Sequence, residues 1–359
     1  MQSSLRWKEN WSETKKNFIR WWRGEGMILN VTTLRDEPID AIDSPLMPTD
    51  IEERWTNPAY RCSKDEYKMA QRSYIADSIP YLDTHLGPGS LALYLGARAS
   101  FDERTVWYNP CLDDSDNNPL HFEPENNKWW KINMAIIEEG LKRAQGRYLV
   151  CMPDLVEHVD TLASLRETQE LLYDFIDRPE WVHARLAEIS EAWFTAFDLI
   201  YAKIRDEDGG NTFSYFDIWG PGKTAKLQCD LSAMISPEMY REFVMPYLEE
   251  QCKWLDFPLY HLDGTTALQH LDCLLEIESL ATIQWTPQSG LAGPGMPEWF
   301  DLYKKIKAGG KSVELLMVEV DEVVPLLDAV GPEGMCIRIA DPVPEAEAEK
   351  LLKAVEPFR

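Results

Sequence analysis

Short apolar runs alternate along the chain with longer stretches whose apolar residues recur every three or four positions. The runs are Met27–Val31, Ile79–Asp83, Tyr148–Met152, Phe213–Ile218, Pro258–Leu262, Ala281–Trp285, Val313–Val318 and Met335–Ile339. Their length and their β-branched and aromatic content are those of buried strands. Leu162–Phe175, Trp181–Ala202, Pro237–Trp254, Ala267–Glu278, Pro297–Ala308, Val320–Val330 and Glu345–Val355 read as helices. Strand–helix alternation needs crossover connections and therefore parallel strands. The repeated unit, most closely spaced in the second half, predicts an α/β fold of the (β/α)8 kind, a TIM barrel, with residues 1–359 as one domain. An open doubly wound sheet is the alternative. The stretch 84–146, rich in Asn, Asp, Pro and Trp, interrupts the pattern. It is expected to cover the barrel mouth or to form a contact in a homodimer.

Charge narrows the class of partner. The chain has 61 acidic against 36 Lys and Arg residues, a formal net charge of −25. Such an excess argues against nucleic acid, which requires basic surface to neutralise phosphates, and against an anionic membrane. It also argues against a large polyanionic substrate, unless a local basic pocket is hidden in the total. No apolar run approaches the ~20 residues of a membrane span, and the start of the chain lacks the apolar core of a secretory signal. Seven scattered cysteines with no CxxC pair suit a reducing cytoplasm. The adjacent pairs Trp21–Trp22 and Trp129–Trp130 are expected to place one ring in the core and one partly exposed. No GxGxxG, P-loop or G-x-S-x-G pattern follows a strand, which leaves dinucleotide, nucleotide and serine-nucleophile schemes without support.

In a barrel, the chemistry collects just beyond the strand C-termini. Those points carry Asp83 and His85, Asp154, Asp217 and Trp219, Asp230, His261 and Asp263, Gln284 and Trp285, Glu319, and Arg338 and Asp341. Asp230, Asp217 and Asp83 are the candidate catalytic carboxylates. Trp219, Gln284, Trp285, Arg338, His85 and Asp154 are candidate substrate contacts. His261 and Asp263 stand two apart on one strand, so both side chains point the same way. With a carboxylate from another strand, Asp341 or Glu319, they would form a three-ligand site for zinc or another divalent metal. The competing readings of His261 and Asp263 are polar contacts to a substrate, or a hydrogen bond that only holds the mouth together.

These segments resemble the uroporphyrinogen decarboxylase superfamily, which includes methyltransferases that move methyl groups between corrinoid proteins and thiols. The resemblance is carried by Pro153-Asp-Leu, Leu165-Arg-Glu, Asp177-Arg-Pro-Glu, the run from Asp230 through Ser236-Pro-Glu-Met-Tyr to Pro246-Tyr247, His261-Leu-Asp-Gly, and Asp341-Pro-Val-Pro. It covers roughly residues 147–359. The resemblance implies a barrel with its site at the strand C-termini. The decarboxylases carry an Arg-rich motif near the N-terminus; here Leu34-Arg-Asp-Glu-Pro stands in its place, and Arg35, Arg98 and Arg338 are the arginines available at the mouth. The thiol-activating methyltransferases carry His-x-Cys-Gly and a later Cys as zinc ligands; here Asp263 and Asp341 stand at those positions.

Three readings follow. The first is a methyltransferase-like enzyme acting on a small molecule, metal-assisted, with a corrinoid protein as partner. The second is a decarboxylase-type lyase of porphyrin biosynthesis, with Asp230 stabilising a protonated pyrrole. The third is a barrel that binds a small molecule without chemistry.

Overall fold

The long apolar runs become strands buried on both faces, the condition that favours continuous rather than alternating hydrophobicity. In the computed structural model, the residues described are 5–113, 118–213, 215–340 and 342–359. Among them the strands are β1 (Ile28–Leu34), β2 (Arg72–Ala76), β3 (Tyr81–Leu82), β4 (Arg98–Phe101), β5 (Val106–Asn109), β6 (Leu149–Val150), β7 (Asn211–Phe213), β8 (Ile218–Gly220), β9 (Thr224–Gln228), β10 (Phe257–Asp263), β11 (Thr282–Thr286), β12 (Ser312–Val318) and β13 (Met335–Ile339). Seven form one sheet in the order β2-β1-β13-β12-β11-β10-β9. Every pairing in it is parallel except β1 with β2. The protein is therefore α/β, with helices supplying the crossovers.

The remaining strands are short. β3 pairs in parallel with β6, extended by Leu149 N–H to the Pro80 carbonyl at 3.0 Å and Cys151 N–H to the Leu82 carbonyl at 3.1 Å. Met152 N–H reaches the Thr212 carbonyl at 2.8 Å, and Asp77 N–H reaches the Leu29 carbonyl at 2.9 Å.

Several expectations change. The run Phe213–Ile218 is not one strand: it splits into the antiparallel pair β7 and β8. Tyr215 and Asp217 between them take φ of 72° and 50°, left-handed values that end an L-residue strand. β9, absent from the apolar pattern, occupies the sheet instead. The expected helix Leu162–Phe175 is two, His158–Arg166 and Thr168–Asp177, broken at Glu167 with φ of 85°. The expected helix Pro237–Trp254 divides in the same way, at Val244, into Pro237–Phe243 and Met245–Trp254, and the runs Ile79–Asp83 and Tyr148–Met152 leave only the two-residue strands β3 and β6. Ser236 accepts from Met239 N–H at 3.3 Å and caps the helix that Pro237 opens.

The N-terminal helix Trp11–Trp22 closes one end of the sheet. Trp21 and Trp22 are both buried, against the expectation of one exposed ring. Their indole N–H groups donate to the Gly334 and Trp219 carbonyls, each at 3.0 Å. Within 84–146, the hairpin β4–β5 lies at the opposite end, beside the strand C-termini. Lys128–Ala144 is a helix packed on the helix Pro58–Ala70. None of the seven cysteines is in a disulfide, and among the described residues no helix is long and apolar enough to cross a membrane.

Candidate metal centre and the polar mouth

Strand register places polar side chains in a row. His261 lies opposite Gln228 on β9 and Gln284 on β11, and Gln284 lies opposite Glu314 on β12. Parity then carries Asp263 to the same side as His261, one step beyond the row. Asp230, at the start of the short helix Asp230–Met234, reaches this point from the end of β9. Asp230, His261 and Asp263 each offer a ligand atom, and the three atoms lie within 4.8 Å of one another. Asp341 lies outside the described residues. Glu319 does not join: it is exposed and caps the short helix Val320–Glu322 in a reciprocal box with Glu322. Asp230, expected to be catalytic, stands in this candidate group where Glu319 or Asp341 was expected.

The carboxylates here are crowded, and Asp160 and Asp230 are pinned. Asp160 accepts from Asp230 N–H at 2.7 Å and Leu231 N–H at 3.0 Å, fixing the turn that presents Asp230. Gln228 donates through its amide to Asp160 at 3.1 Å and to Asp230 at 3.0 Å. Loss of hydration and the facing Asp160 push the Asp230 carboxyl up to about 7, against the opposing pull of Lys226. A cation in reach of Asp230, His261 and Asp263 would relieve that repulsion.

The imidazole is oriented by the row itself. The Gln284 amide nitrogen donates to the Trp285 carbonyl at 2.8 Å and to Thr286 Oγ1 at 2.9 Å. Its oxygen therefore faces His261 Nδ1 in a close hydrogen bond. That assignment puts the proton on Nδ1 and leaves the lone pair on Nε2, the arrangement that metal-binding histidines adopt. Burial, and then Lys226, push the His261 pKa down, so the ring is neutral at neutral pH. Gln284 is thus a positioning residue, fully buried, and not a substrate contact.

Beneath lies an ion pair. Lys226 Nζ meets Asp154 at 2.7 Å, with side chains 4% and 8% exposed. Burial lowers the Lys226 pKa, but Asp154 and Glu157 outweigh it, and the net shift is upward. Glu157 accepts from Gln228 N–H, and its other oxygen has no partner; burial raises its carboxyl well above the usual range. Asp154 is therefore a structural partner of Lys226.

A second constellation stands across the mouth. His85 Nε2 lies 2.8 Å from Asp83 and 2.6 Å from the Tyr215 hydroxyl, while Nδ1 accepts from Gly87 N–H at 2.8 Å. Burial pushes the Asp83 carboxyl up, but its contacts with His85 outweigh that and hold it below the usual range. Arg338 binds Asp217 at 2.8 Å and donates to the Tyr215 carbonyl at 2.8 Å. Phe216 sets its ring edge-on to His261, centroids 5.5 Å apart, so the turn 215–217 touches both constellations.

Two tryptophans are corrected. Trp219 is 1% exposed; its indole donates to Asp206 at 2.9 Å and its ring meets Trp11. Its neighbours place it in the core. Trp285 is fully buried against Trp299, centroids 5.1 Å apart. Alternating side-chain direction explains it: His261 and Gln284 face the polar row, and Trp285, one residue on, must face the helices.

A cavity of about 580 Å³ opens on Asp230, Asp160 and Gln228, rimmed by Trp107 and Tyr108 of β5 and by Met234. It gives a small molecule access to the carboxylates. No model of a known protein family matches the chain, and no curated protein matches it.

Proposed function

We propose that the chain is a metal-assisted group-transfer enzyme, methyltransferase-like, acting on a small molecule at the C-terminal end of a (β/α)8 barrel. The observation that carries the reading is the convergence of Asp230, His261 and Asp263 within 4.8 Å, beside a cavity open to solvent. The barrel is favoured by the parallel β3–β6 pair, with Leu149 bonded to Pro80 and Cys151 to Leu82, and by the Met152 N–H to Thr212 carbonyl bond that joins β6 to β7.

The donor set suits a divalent cation of intermediate hardness: two carboxylates and an imidazole whose Nε2 is unprotonated. Such an ion supplies Lewis acidity and lowers the pKa of a bound nucleophile. The chain's own residues do the rest. Asp160 and Gln228 hold the Asp230 carboxyl, Gln284 fixes the imidazole, and Lys226 offsets the negative charge of Asp154. The methyl donor in this reading is a corrinoid protein, which would dock over the mouth.

Metal analysis of chelator-treated protein after separate loading with zinc, manganese and iron tests the reading. Wild type should retain one equivalent of one of them, and Asp263→Asn and His261→Ala should retain none. Wild type that holds none above background removes the metal centre.

A further inference from the structure

The mouth contains a second region that the proposed metal centre does not use. Two cavities, about 230 and 540 Å³, meet at Asp65, Lys68 and Asp83 between the helix Pro58–Ala70, the hairpin β4–β5 and the turn 215–217. Their combined walls hold seven Arg or Lys and five Asp or Glu, an excess of two cations in a chain whose net charge is −25.

The acids there are mostly engaged. Asp83 is held by His85 and Asp217 by Arg338, both at 2.8 Å. Asp102 accepts from Arg104 N–H, Thr105 N–H and the Trp107 indole within 2.8 Å. Glu103 approaches Arg54 at 4.0 Å. Among the described residues neither Lys64 nor Lys68 has an ion-pair partner; Lys64 Nζ lies over the Tyr60 ring, 6.0 Å from its centroid. Helical spacing puts them on one face with Arg61. Arg61 is 3% exposed, tied to the Trp55 and His85 carbonyls at 3.2 and 3.0 Å, and its Nε is buried without a partner. Burial pushes the Lys64 pKa down; Asp65 opposes it, and Arg61 and Lys68 add to the fall. Asp65, on the same helix, offsets part of the charge of Arg61, Lys64 and Lys68, and an anion held between the two lysines would offset more of it.

We propose that this cleft binds a small organic anion, carboxylate- or phosphate-bearing, through Lys64 and Lys68, with Arg61 as the fixed charge behind them. The aromatic rings of Trp55 and Tyr60 line the same wall and would cover the body of the ligand. The proposal rests on the enzyme reading only in making this anion the substrate; the binding itself requires no metal.

Calorimetric titration of the full-length protein with phthalate, inorganic phosphate and neutral phthalamide tests it. Phthalate or phosphate should bind, more weakly as salt rises, and phthalamide should not. Phthalate alone identifies a carboxylate ligand, and phosphate alone a phosphorylated one. The Lys64→Gln, Lys68→Gln double variant should lose about tenfold or more in affinity. A Lys253→Gln, Lys304→Gln control, with the same change of net charge at distant sites, should not. Equal binding of phthalate and phthalamide, an unaffected double variant, or no binding of either anion at about 10 mM overturns the proposal. Loss of both anions in protein that still loads metal removes the cleft alone. Anion binding that survives in His261→Ala supports the cleft whatever becomes of the metal centre.

Discussion

Replacing Lys226 with methionine tests the electrostatic frame of the mouth most directly. The ammonium and Asp154 are 2.7 Å apart, with 4% and 8% of their side chains exposed. Methionine nearly preserves the volume, so packing changes little, while Asp154 becomes a buried carboxylate without its counter-ion. Removing one partner of a buried pair costs about 3–5 kcal/mol, because the other charge stays desolvated. With a urea slope of about 3 kcal/mol per molar or more for a chain of this size, the unfolding midpoint should fall by roughly 1 M. Lys226→Met with Asp154→Leu removes both charges and should recover most of the loss. A second readout is independent of stability. Lys226 pushes the His261 pKa down and opposes the rise at Asp230. The single variant should therefore raise both, which NMR titration of the His261 ring follows. A single variant within about 1 kcal/mol of wild type, with an unmoved His261 titration, would refute the buried pair.

Three further outcomes are expected. Asp230 is held near 7 while His261 is already neutral, so the proton on Asp230 is the one a cation must displace. Divalent-metal affinity should rise about tenfold per pH unit up to about pH 7 and then level off; a flat profile over that range, read by competition with a chelating dye, argues against Asp230 as ligand. Glu66, 4% exposed, accepts from Arg143 at 3.1 Å and from Arg147 and Tyr148, each at 2.6 Å. Glu66→Gln should cost about 3 kcal/mol in chemical denaturation, and a loss below about 1 kcal/mol would contradict that network. A Cβ at Gly210 would meet the Trp219 ring at 2.4 Å; Gly210→Ala should lower stability by about 2 kcal/mol without changing metal or anion binding, and altered binding would contradict Trp219 as a core residue.

The sheet was legible where burial on both faces makes a strand continuously apolar. Runs at β1 and from β10 to β13 stand out in the sequence for that reason. β9 did not, because its inward positions are Lys226 and Gln228: a charge buried against a remote Asp154 looks like a surface charge until the fold pairs it. β2 is partly exposed along its whole length and carries no apolar run. Parity on one strand was enough to join His261 and Asp263. Asp230 could not be joined to them from sequence, since its position depends on Asp160 gripping two backbone N–H groups from another element. Trp219 and Trp285 show the opposite failure: an indole can line a cleft or fill a core, and position near a strand end does not decide between them. The cleft cations escaped notice because the helix Pro58–Ala70 buries Arg61 and Glu66 together with Cys62, Met69 and Ala70, so charge on that helix does not mark its solvent face. The hidden basic pocket that the acidic total left open is on that helix.

The turn 215–217 ties the two regions together. Tyr215 and Asp217 hold left-handed backbone, at φ of 72° and 50°, in residues for which such conformations cost of order 1 kcal/mol or more each. Strain of this kind persists only where the surroundings impose it, and here the imposing contacts are specific. Arg338 grips the Tyr215 carbonyl and the Asp217 carboxylate, and Asn30 donates to the Asp217 carbonyl at 3.1 Å. The same turn sends the Tyr215 hydroxyl to His85 and the Phe216 ring to His261. An anion in the adjoining cleft would compete for Arg338 with Asp217 and the Tyr215 carbonyl. Any loosening of that grip releases a strained turn that lies against the imidazole of the proposed metal centre. His85 and Arg338 both line the cleft and both hold Tyr215, so the cleft and His261 are joined through Tyr215 and Phe216.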